Sequence, residues 1–248
     1  MRLLWAFLLS LATCSAAWAD EITIAAASDL QFVMKEVAAR YEKQTGTAVK
    51  LSFGSSGNFF AQIQNGAPFD LFFSADADYP RKLEAAGLAE PGTFYQYANG
   101  RIVLWASNSS RLRLDQGMNS LLNPAIKKIA IANPAHAPYG RAAEAAMKSA
   151  GVYEKLASRL VLGENISQTA QFVQSGNADV AVLALSLALS DSLKDKGRYF
   201  IVPRELYPPL HQAAVVLKSS QKKAQARKFM EYLKSPQVVA LFKQYGFE

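Results

Sequence analysis

The sequence predicts an α/β protein built as two lobes, and three observations lead to that fold class. The chain has 248 residues, of which 50% are hydrophobic and 19% charged, enough for one large or two medium domains. Short β-like runs alternate with helical patterns along the chain, as in α/β folds. The alternation restarts in mid-chain, as expected for a second lobe. This composition excludes a disordered tail, a low-complexity polymer and a disulfide-stapled mini-protein.

The first part of the chain opens with a predicted strand over residues 21–27, in which isoleucines alternate with other residues. Ser28 or Asp29 is expected to cap the following helix, and Gly46 is expected to end it. The next predicted elements are a strand over 49–53, a turn over 54–58, a helix over 59–64, a strand over 70–74 and a helix over 79–86. Each element ends at small or glycine residues, which favour turns.

The pattern resumes after residue 100 and indicates parallel sheets with right-handed crossovers. The predicted elements are strands over 101–106 and 129–132, a helix over 141–150, a strand over 160–162, a helix over 168–174, strands over 179–183, 199–202 and 212–217, and helices over 222–234 and 236–245. Chain crossings near 98–101 and 202–209 divide the sequence into two lobes. We assign residues 20–99 and 203–248 to lobe 1 and residues 100–202 to lobe 2.

The first nineteen residues have the pattern of a cleaved secretory signal peptide. A basic start is followed by an apolar run, and Ala17 and Ala19 give small residues before Asp20. The apolar run is shorter than the roughly 20 residues that span a bilayer. Lipidation at Cys14 is the alternative, although the threonine before it fits that signal poorly. Cleavage predicts a periplasmic protein and removes the single cysteine, which excludes disulfides, thiolate metal sites and a cysteine nucleophile.

The formal net charge of +7 is compatible with nucleic acid, an anionic membrane or a small anion as a partner. The densest basic stretch, residues 222–228, lies on a predicted helix without interleaved aromatic residues. No recognised nucleic-acid-binding module is visible. We therefore interpret that stretch as a solvated helix face and expect no nucleic-acid partner.

Five turns that follow predicted strands share small and hydroxyl-bearing residues close to helix starts. Free N–H groups at helix N-termini, the helix dipole and serine hydroxyls all favour an anion. Ordinary N-capping explains any one of these turns, so an anion site requires that they converge. A pocket made only of donors would select a fully ionised oxyanion such as sulfate, molybdate or tungstate over hydrogen phosphate. The turns are residues 27–29, 54–58, 74–76, 138–140 and 164–167.

Two strings in these turns are specific in combination: GAPFDLFFSAD at residues 66–76 and NPAHAPYG at residues 133–140. With them, essentially the whole exported chain resembles the periplasmic molybdate-binding proteins of ABC transporters, which are type II solute-binding proteins. The resemblance implies two lobes with a ligand cleft between them, capture of molybdate and tungstate, and delivery to a membrane permease. It also implies a monomer without a cofactor. Sulfate or another small anion remains the alternative ligand.

The resemblance implies a set of oxyanion-binding residues from both lobes. Ser28 and Ser56 would donate hydroxyl and backbone N–H groups, and Ala75 would add a backbone N–H. In the second lobe, Ile166 would offer its backbone N–H and Tyr139 its hydroxyl. The ion would be held by these hydrogen bonds, with no direct bond between protein and metal. Another branch of the family binds the ion with a tyrosine at the position that is Ala184 in this chain, so that ligand is not available here.

An enzyme and an amino-acid-binding protein are the alternatives to an oxyanion carrier. His136 and His211 are the only histidines, and neither a G-x-S-x-G elbow nor a P-loop occurs. Two histidines without cysteine give weak support for zinc. Arg141 and Asp76 could bind the two charges of an amino acid, but we expect them to be solvated surface residues. Asp29 is expected to offer only its backbone N–H, with its carboxylate turned away as a helix cap.

Overall fold

The computed structural model describes residues 21–248, and the predicted signal peptide lies outside the described residues. Within 21–248, ten strands form two five-stranded sheets with helices packed against them. No helix of this described part is both long and apolar enough to cross a membrane. The two sheets give the chain the two-lobed α/β architecture that the sequence predicts.

The first sheet combines the N-terminal strands with one strand from near the end of the chain. Its spatial order is β2 (Ala48–Gly54), β1 (Glu21–Ala27), β3 (Leu71–Ser74), β10 (Leu210–Val216) and β4 (Tyr95–Gly100). Strand β1 is parallel to β2 and β3, whereas β10 is antiparallel to β3 and β4. The parallel strands end at one edge, so the turns after them lie close together.

Helices cover both faces of the first sheet because successive side chains on its strands point to opposite faces. Ile24 and Phe73 pack in one cluster, and Ala25 and Phe72 in another, each fully buried. Gly46 ends the first helix with φ of +74°, as predicted. The helices of this lobe are α1 (Gln31–Thr45), α2 (Ser56–Gln64), α3 (Asp78–Ala85), α8 (Lys223–Leu233) and α9 (Pro236–Gln244).

The second sheet is formed by the middle of the chain. Its spatial order is β7 (Leu160–Gly163), β6 (Ile129–Ala132), β8 (Val180–Ala184), β5 (Ile102–Ser107) and β9 (Gly197–Ile201). Trp105 is 1% exposed in a core that includes Ile131 and Leu183. Burying each such large side chain contributes roughly 1.5–3 kcal/mol. The helices of this lobe are α4 (Pro138–Ser149), α5 (Tyr153–Leu156), α6 (Ile166–Gln174) and α7 (Leu185–Ala188).

Two connecting segments join the sheets. The outgoing one is a single residue between β4 and β5, and the returning one lies between β9 and β10 and contains the 3-10 helix Arg204–Leu206. Glu248 contacts both segments. Its backbone exchanges hydrogen bonds with Asn99, and its carboxylate pairs with Arg101 at 3.0 Å and with Arg204. Glu248 therefore links the two connecting segments that run between the lobes.

The prediction of parallel sheets is wrong for the strands next to the connecting segments. Strand β5 is antiparallel to β8 and β9, and β10 is antiparallel to β3 and β4. Each of these two strands is reached without an α-helical crossover, so the parallel arrangement is not imposed on it. Both sheets are consequently mixed.

Three local predictions also differ from the structure. Strand β4 was not predicted, because its sequence YQYANG contains glutamine, asparagine and glycine, which disfavour strands. The turn predicted over 54–58 is shorter, since α2 already begins at Ser56. Neither Ser28 nor Asp29 caps a helix with its side chain; both lie in the 3-10 helix Ser28–Leu30, which leads directly into α1.

Candidate oxyanion-binding site

A small cavity lies between the lobes, where the predicted turns converge, and the centre of a water-sized sphere can occupy about 10 Å³ of it. Sites for drug-sized molecules run to roughly 300–1,000 Å³, so this cavity has room only for a small ligand. Its lining includes all five predicted site residues, and no lysine, arginine or histidine of the described chain belongs to it. The lining residues are Ala27, Ser28, Asp29, Gly54, Ser55, Ser56, Ala75, Ala137, Pro138, Tyr139, Asn165 and Ile166.

Three α-helices begin at the cavity. Helix α2 starts at Ser56, α4 at Pro138 and α6 at Ile166. The first N–H groups of a helix have no partner within that helix, and the dipole gives this end a partial positive charge. The absence of a lysine or arginine in the lining is therefore compatible with anion binding, because the positive potential comes from backbone.

Ser28 offers an unused hydrogen-bond donor at the cavity. The residue is 3% exposed, and its Oγ is buried without a hydrogen-bond partner among residues 21–248. A buried hydroxyl left unpaired costs roughly 1–3 kcal/mol. Its carbonyl oxygen accepts from Ser167 Oγ of the second lobe at 3.0 Å, which fixes the backbone at the cavity wall. A hydrogen-bonding ligand in the cavity would satisfy the Ser28 hydroxyl.

Ser56 is oriented by the residue that was expected to bind the ion beside it. The Ala75 N–H donates to Ser56 Oγ at 3.0 Å. Ala75 is therefore not a free donor, and the prediction that its N–H binds the ion directly is corrected. Because Ser56 Oγ accepts this bond, its own hydrogen is left to donate into the cavity.

Helix α6 presents its first N–H group through a side-chain cap. Asn165 Oδ1 accepts from Ser167 N at 3.0 Å and from Gln168 N at 3.1 Å. Those two bonds satisfy the second and third N–H groups of the helix and leave the first, that of Ile166, at the cavity wall. The structure thus gives the predicted Ile166 donor a defined position.

Helix α4 begins with Pro138, whose ring fits the first helical position, so Tyr139 supplies the first N–H of that helix. Gly140 allows this helix start to lie against β6, because a Cβ there would overlap the Ala132 carbonyl. The Tyr139 hydroxyl, which was predicted to bind the ion, has two side-chain partners in this structure. It donates to Asp29 Oδ2 at 3.0 Å and accepts from Gln212 Nε2 at 3.0 Å, so its backbone N–H becomes the candidate donor.

Asp29 is buried, and its carboxylate does not cap a helix as was expected. Oδ2 accepts from Gln212 Nε2 at 2.7 Å and from Tyr139, while Oδ1 has no geometric hydrogen-bond partner within the described chain. Burial raises the pKa of Asp29 to about 6, although the hydrogen bonds from Gln212 and Tyr139 act to lower it. The cavity wall therefore contains an acidic group, which corrects the expectation of a donor-only pocket.

Contacts between the lobes surround the cavity, so the structure is a closed arrangement. Ser55 Oγ and the Gly57 N–H both donate to the His136 carbonyl, at 2.7 Å and 3.0 Å. On the same side, Arg141 pairs with Asp76 at 2.6 Å. These two are partners of each other rather than separate surface charges, and neither they nor His136 line the cavity.

One residue of the buried network was missed by the sequence analysis. Gln212 lies on β10, is fully buried and contacts both Asp29 and Tyr139. A glutamine in the apolar run LHQAAVV was the available signal, because a buried polar side chain needs partners. Within 21–248, no cluster of histidine, cysteine, aspartate and glutamate residues could hold a metal ion.

The chain belongs to the family of bacterial extracellular solute-binding proteins, whose family model matches residues 22–248. It is 39% identical over 229 residues to the molybdate-binding protein ModA of Rhodobacter capsulatus, covering 92% of this chain and 88% of that protein. It is 40% identical over 232 residues to the protein of the same name from Azotobacter vinelandii, covering 94% and 91%.

Solved structures agree with this assignment. The periplasmic molybdate-binding protein of Azotobacter vinelandii matches with a TM-score of 0.87 at 36% identity, covering 92% of this chain and 98% of that one. The sulfate-binding protein SubI of Mycobacterium tuberculosis has the same fold, with a TM-score of 0.74 at 15% identity. The two-lobed α/β solute-binding fold is thereby confirmed, and the chain is a solute-binding protein rather than an enzyme.

Proposed function

We propose that the protein binds molybdate, and tungstate of the same charge and shape, in the cavity between its lobes. The observation that carries the proposal is the unpaired, buried hydroxyl of Ser28 in a small cavity bordered by three helix starts. The similarity to molybdate-binding proteins across nearly the whole chain supports this choice of anion over sulfate.

In this proposal the ion is held by hydrogen bonds alone. Ser28 and Ser56 donate their hydroxyls from the first lobe, and the Tyr139 and Ile166 backbone N–H groups donate from the second. Each hydrogen bond to a charged oxygen contributes roughly 1.5–3 kcal/mol net. No protein atom bonds to the metal, and no cofactor other than the bound ligand is required. Ala75 positions Ser56 rather than touching the ion.

We further propose the cellular context that this activity needs. Residues 1–19 act as a cleaved signal peptide and send the protein to the periplasm, where it works as a monomer. Residues 20–99 with 203–248, and residues 100–202, move as the two lobes. The closed, loaded form delivers the ion to the membrane permease of an ABC transporter, since a ligand that contacts both lobes stabilises closure.

Isothermal titration calorimetry with molybdate, tungstate, sulfate and phosphate tests the proposal. The cleaved, ligand-stripped protein should bind molybdate and tungstate one to one and give no heat with sulfate or phosphate at the same concentrations. Binding of sulfate alone would support the proposed site but show that its ligand is sulfate rather than molybdate. The absence of binding to all four anions would refute the oxyanion site.

A further inference from the structure

Tyr139 joins the two lobes through its buried hydroxyl, which contacts Asp29 and Gln212. We propose that this hydroxyl is an interlobe latch, which stabilises the closed arrangement, while the backbone N–H of the same residue meets the oxyanion. The inference rests on the proposed function and adds a positioning role to one of its site residues. It assigns to Tyr139 the coupling between ligand binding and lobe closure.

The latch is seated in a socket formed by Asp29 and Gln212 of the first lobe and by Gly100, which ends β4 at the boundary between the lobes. Asp29 Oδ2 accepts from the Tyr139 hydroxyl, and Gln212 Nε2 donates to the hydroxyl and to Asp29 Oδ2. Gly100 provides the space, because a Cβ at that residue would overlap both the Tyr139 hydroxyl and Gln212 Nε2. The socket therefore matches the tyrosine hydroxyl in both hydrogen bonding and shape.

The contact exists only when the lobes are closed, because its two sides belong to different lobes. Tyr139 lies on α4 of the second lobe, whereas the socket residues follow β1, end β4 and lie within β10 of the first sheet. Burial and the nearby Asp29 raise the pKa of Tyr139 well above its usual range, so the hydroxyl keeps its proton and donates. Opening would separate the hydroxyl from Asp29 and Gln212.

The same residue lines the cavity. Tyr139 follows Pro138 in the first turn of α4, so its backbone N–H and its side-chain hydroxyl move together with the start of that helix. An oxyanion that draws the start of α4 to the first lobe therefore also seats the hydroxyl in its socket. A ligand can shift the open–closed equilibrium only through such contacts that differ between the two states.

Stopped-flow measurement of molybdate association and dissociation in Tyr139→Phe tests the latch. Because the hydroxyl acts after encounter, dissociation should be about ten to a hundred times faster, with the association rate changed by less than about threefold. The matched control is Tyr245→Phe. The Tyr245 hydroxyl donates to Glu36 Oε2 at 3.3 Å, within the first lobe and without contact to the socket, so its loss should leave dissociation unchanged.

A double-mutant cycle separates a latch from a direct ligand of the ion. If the hydroxyl acts through the socket, Gln212→Met should reproduce much of the effect of Tyr139→Phe, and the two changes together should be clearly less than additive. Additive effects, or a dissociation rate unchanged in Tyr139→Phe, would overturn the latch. Thermal melts confirm that each variant is folded.

Small-angle X-ray scattering distinguishes failure of the latch from failure of the proposed function. A wild-type protein that binds no molybdate refutes the function. Even then, the latch predicts a larger ligand-free radius of gyration for Tyr139→Phe than for the wild type, and equal radii would overturn it. A wild type that binds molybdate beside a Tyr139→Phe variant with unaltered kinetics refutes the latch alone.

Discussion

The two halves of the cavity present their donors in different ways. In the proposed site, the first-lobe half adds two side-chain donors, the hydroxyls of Ser28 and Ser56, to the start of α2. The second-lobe half would use the backbone N–H groups of Tyr139 and Ile166, because nearby side chains have other partners: the Tyr139 hydroxyl occupies the socket and Asn165 caps α6. Point substitutions can therefore delete donors from the first half, whereas the second half responds to changes that move a helix start.

The largest effect on binding is expected from the first half. Replacing Ser28 and Ser56 together by alanine should weaken molybdate binding by roughly 3–6 kcal/mol, a factor of about a hundred to ten thousand, because two hydrogen bonds to a charged oxygen are lost. Calorimetry measures the loss. Ser190→Ala is the control, since that buried hydroxyl bonds to the Leu187 carbonyl at 2.6 Å, away from the cavity. A double variant that binds within tenfold of wild type would contradict the side-chain assignment.

The next largest effect is on the free energy of unfolding and concerns Asp29, which contacts Tyr139 of the other half. Burial raises its pKa from 3.8 to about 6, so the folded protein holds this proton more tightly than the unfolded chain does. The contribution of Asp29 to the free energy of unfolding therefore falls as pH rises from about 4 to about 6, and is constant above that range. A shift of about two units corresponds to about 3 kcal/mol.

Asp29→Asn should remove this pH dependence while keeping a side chain that accepts from Tyr139 and Gln212. In urea unfolding of the ligand-free protein between pH 4 and 7, the variant should gain stability relative to wild type as pH rises, by up to about 3 kcal/mol. If the free energies of unfolding of the two proteins changed with pH in parallel across this range, the buried carboxylate would not titrate as described.

The smallest effect tests the backbone half. Asn165→Ala removes the cap of α6 and should lower the free energy of unfolding by about 1 kcal/mol, with a several-fold loss of molybdate affinity because the Ile166 N–H is held less firmly. Ile166→Val changes the side chain but keeps the N–H, and should bind within about twofold of wild type. Weaker binding by the valine variant than by the alanine variant would show that the side chain of residue 166, rather than its backbone, recognises the ion.

Much of the fold follows from local sequence patterns. The predicted strand over 129–132 coincides with β6, and Gly46 ends α1, because a short continuous apolar run and a glycine in the left-handed region act over a few residues. Strand β4 was missed because its residues have weak strand propensity and are held by pairing with β10. The antiparallel strands depend on how the chain moves between sheets, which no local pattern records.

The site, like the fold, was predicted only in part from the sequence. The five predicted residues, which the family resemblance implied, all line the cavity, whereas the turns by themselves left open whether they converge. The sequence did not predict where the Tyr139 hydroxyl and the Asp29 carboxylate point. That contact joins residues 110 positions apart, and the bond from Gln212 to Asp29 spans 183 positions. Such pairings depend on the closed tertiary arrangement rather than on spacing along the chain.

The most direct test of this oxyanion site is a crystal structure of the molybdate-loaded protein, with the metal located by its anomalous scattering. One molybdenum should lie in the cavity, with its oxygens within hydrogen-bond distance of Ser28 Oγ, Ser56 Oγ and the N–H groups of Tyr139 and Ile166. The Tyr139 hydroxyl should remain on Asp29. Molybdenum outside this cavity, or a protein atom bonded directly to the metal, would contradict the proposed site.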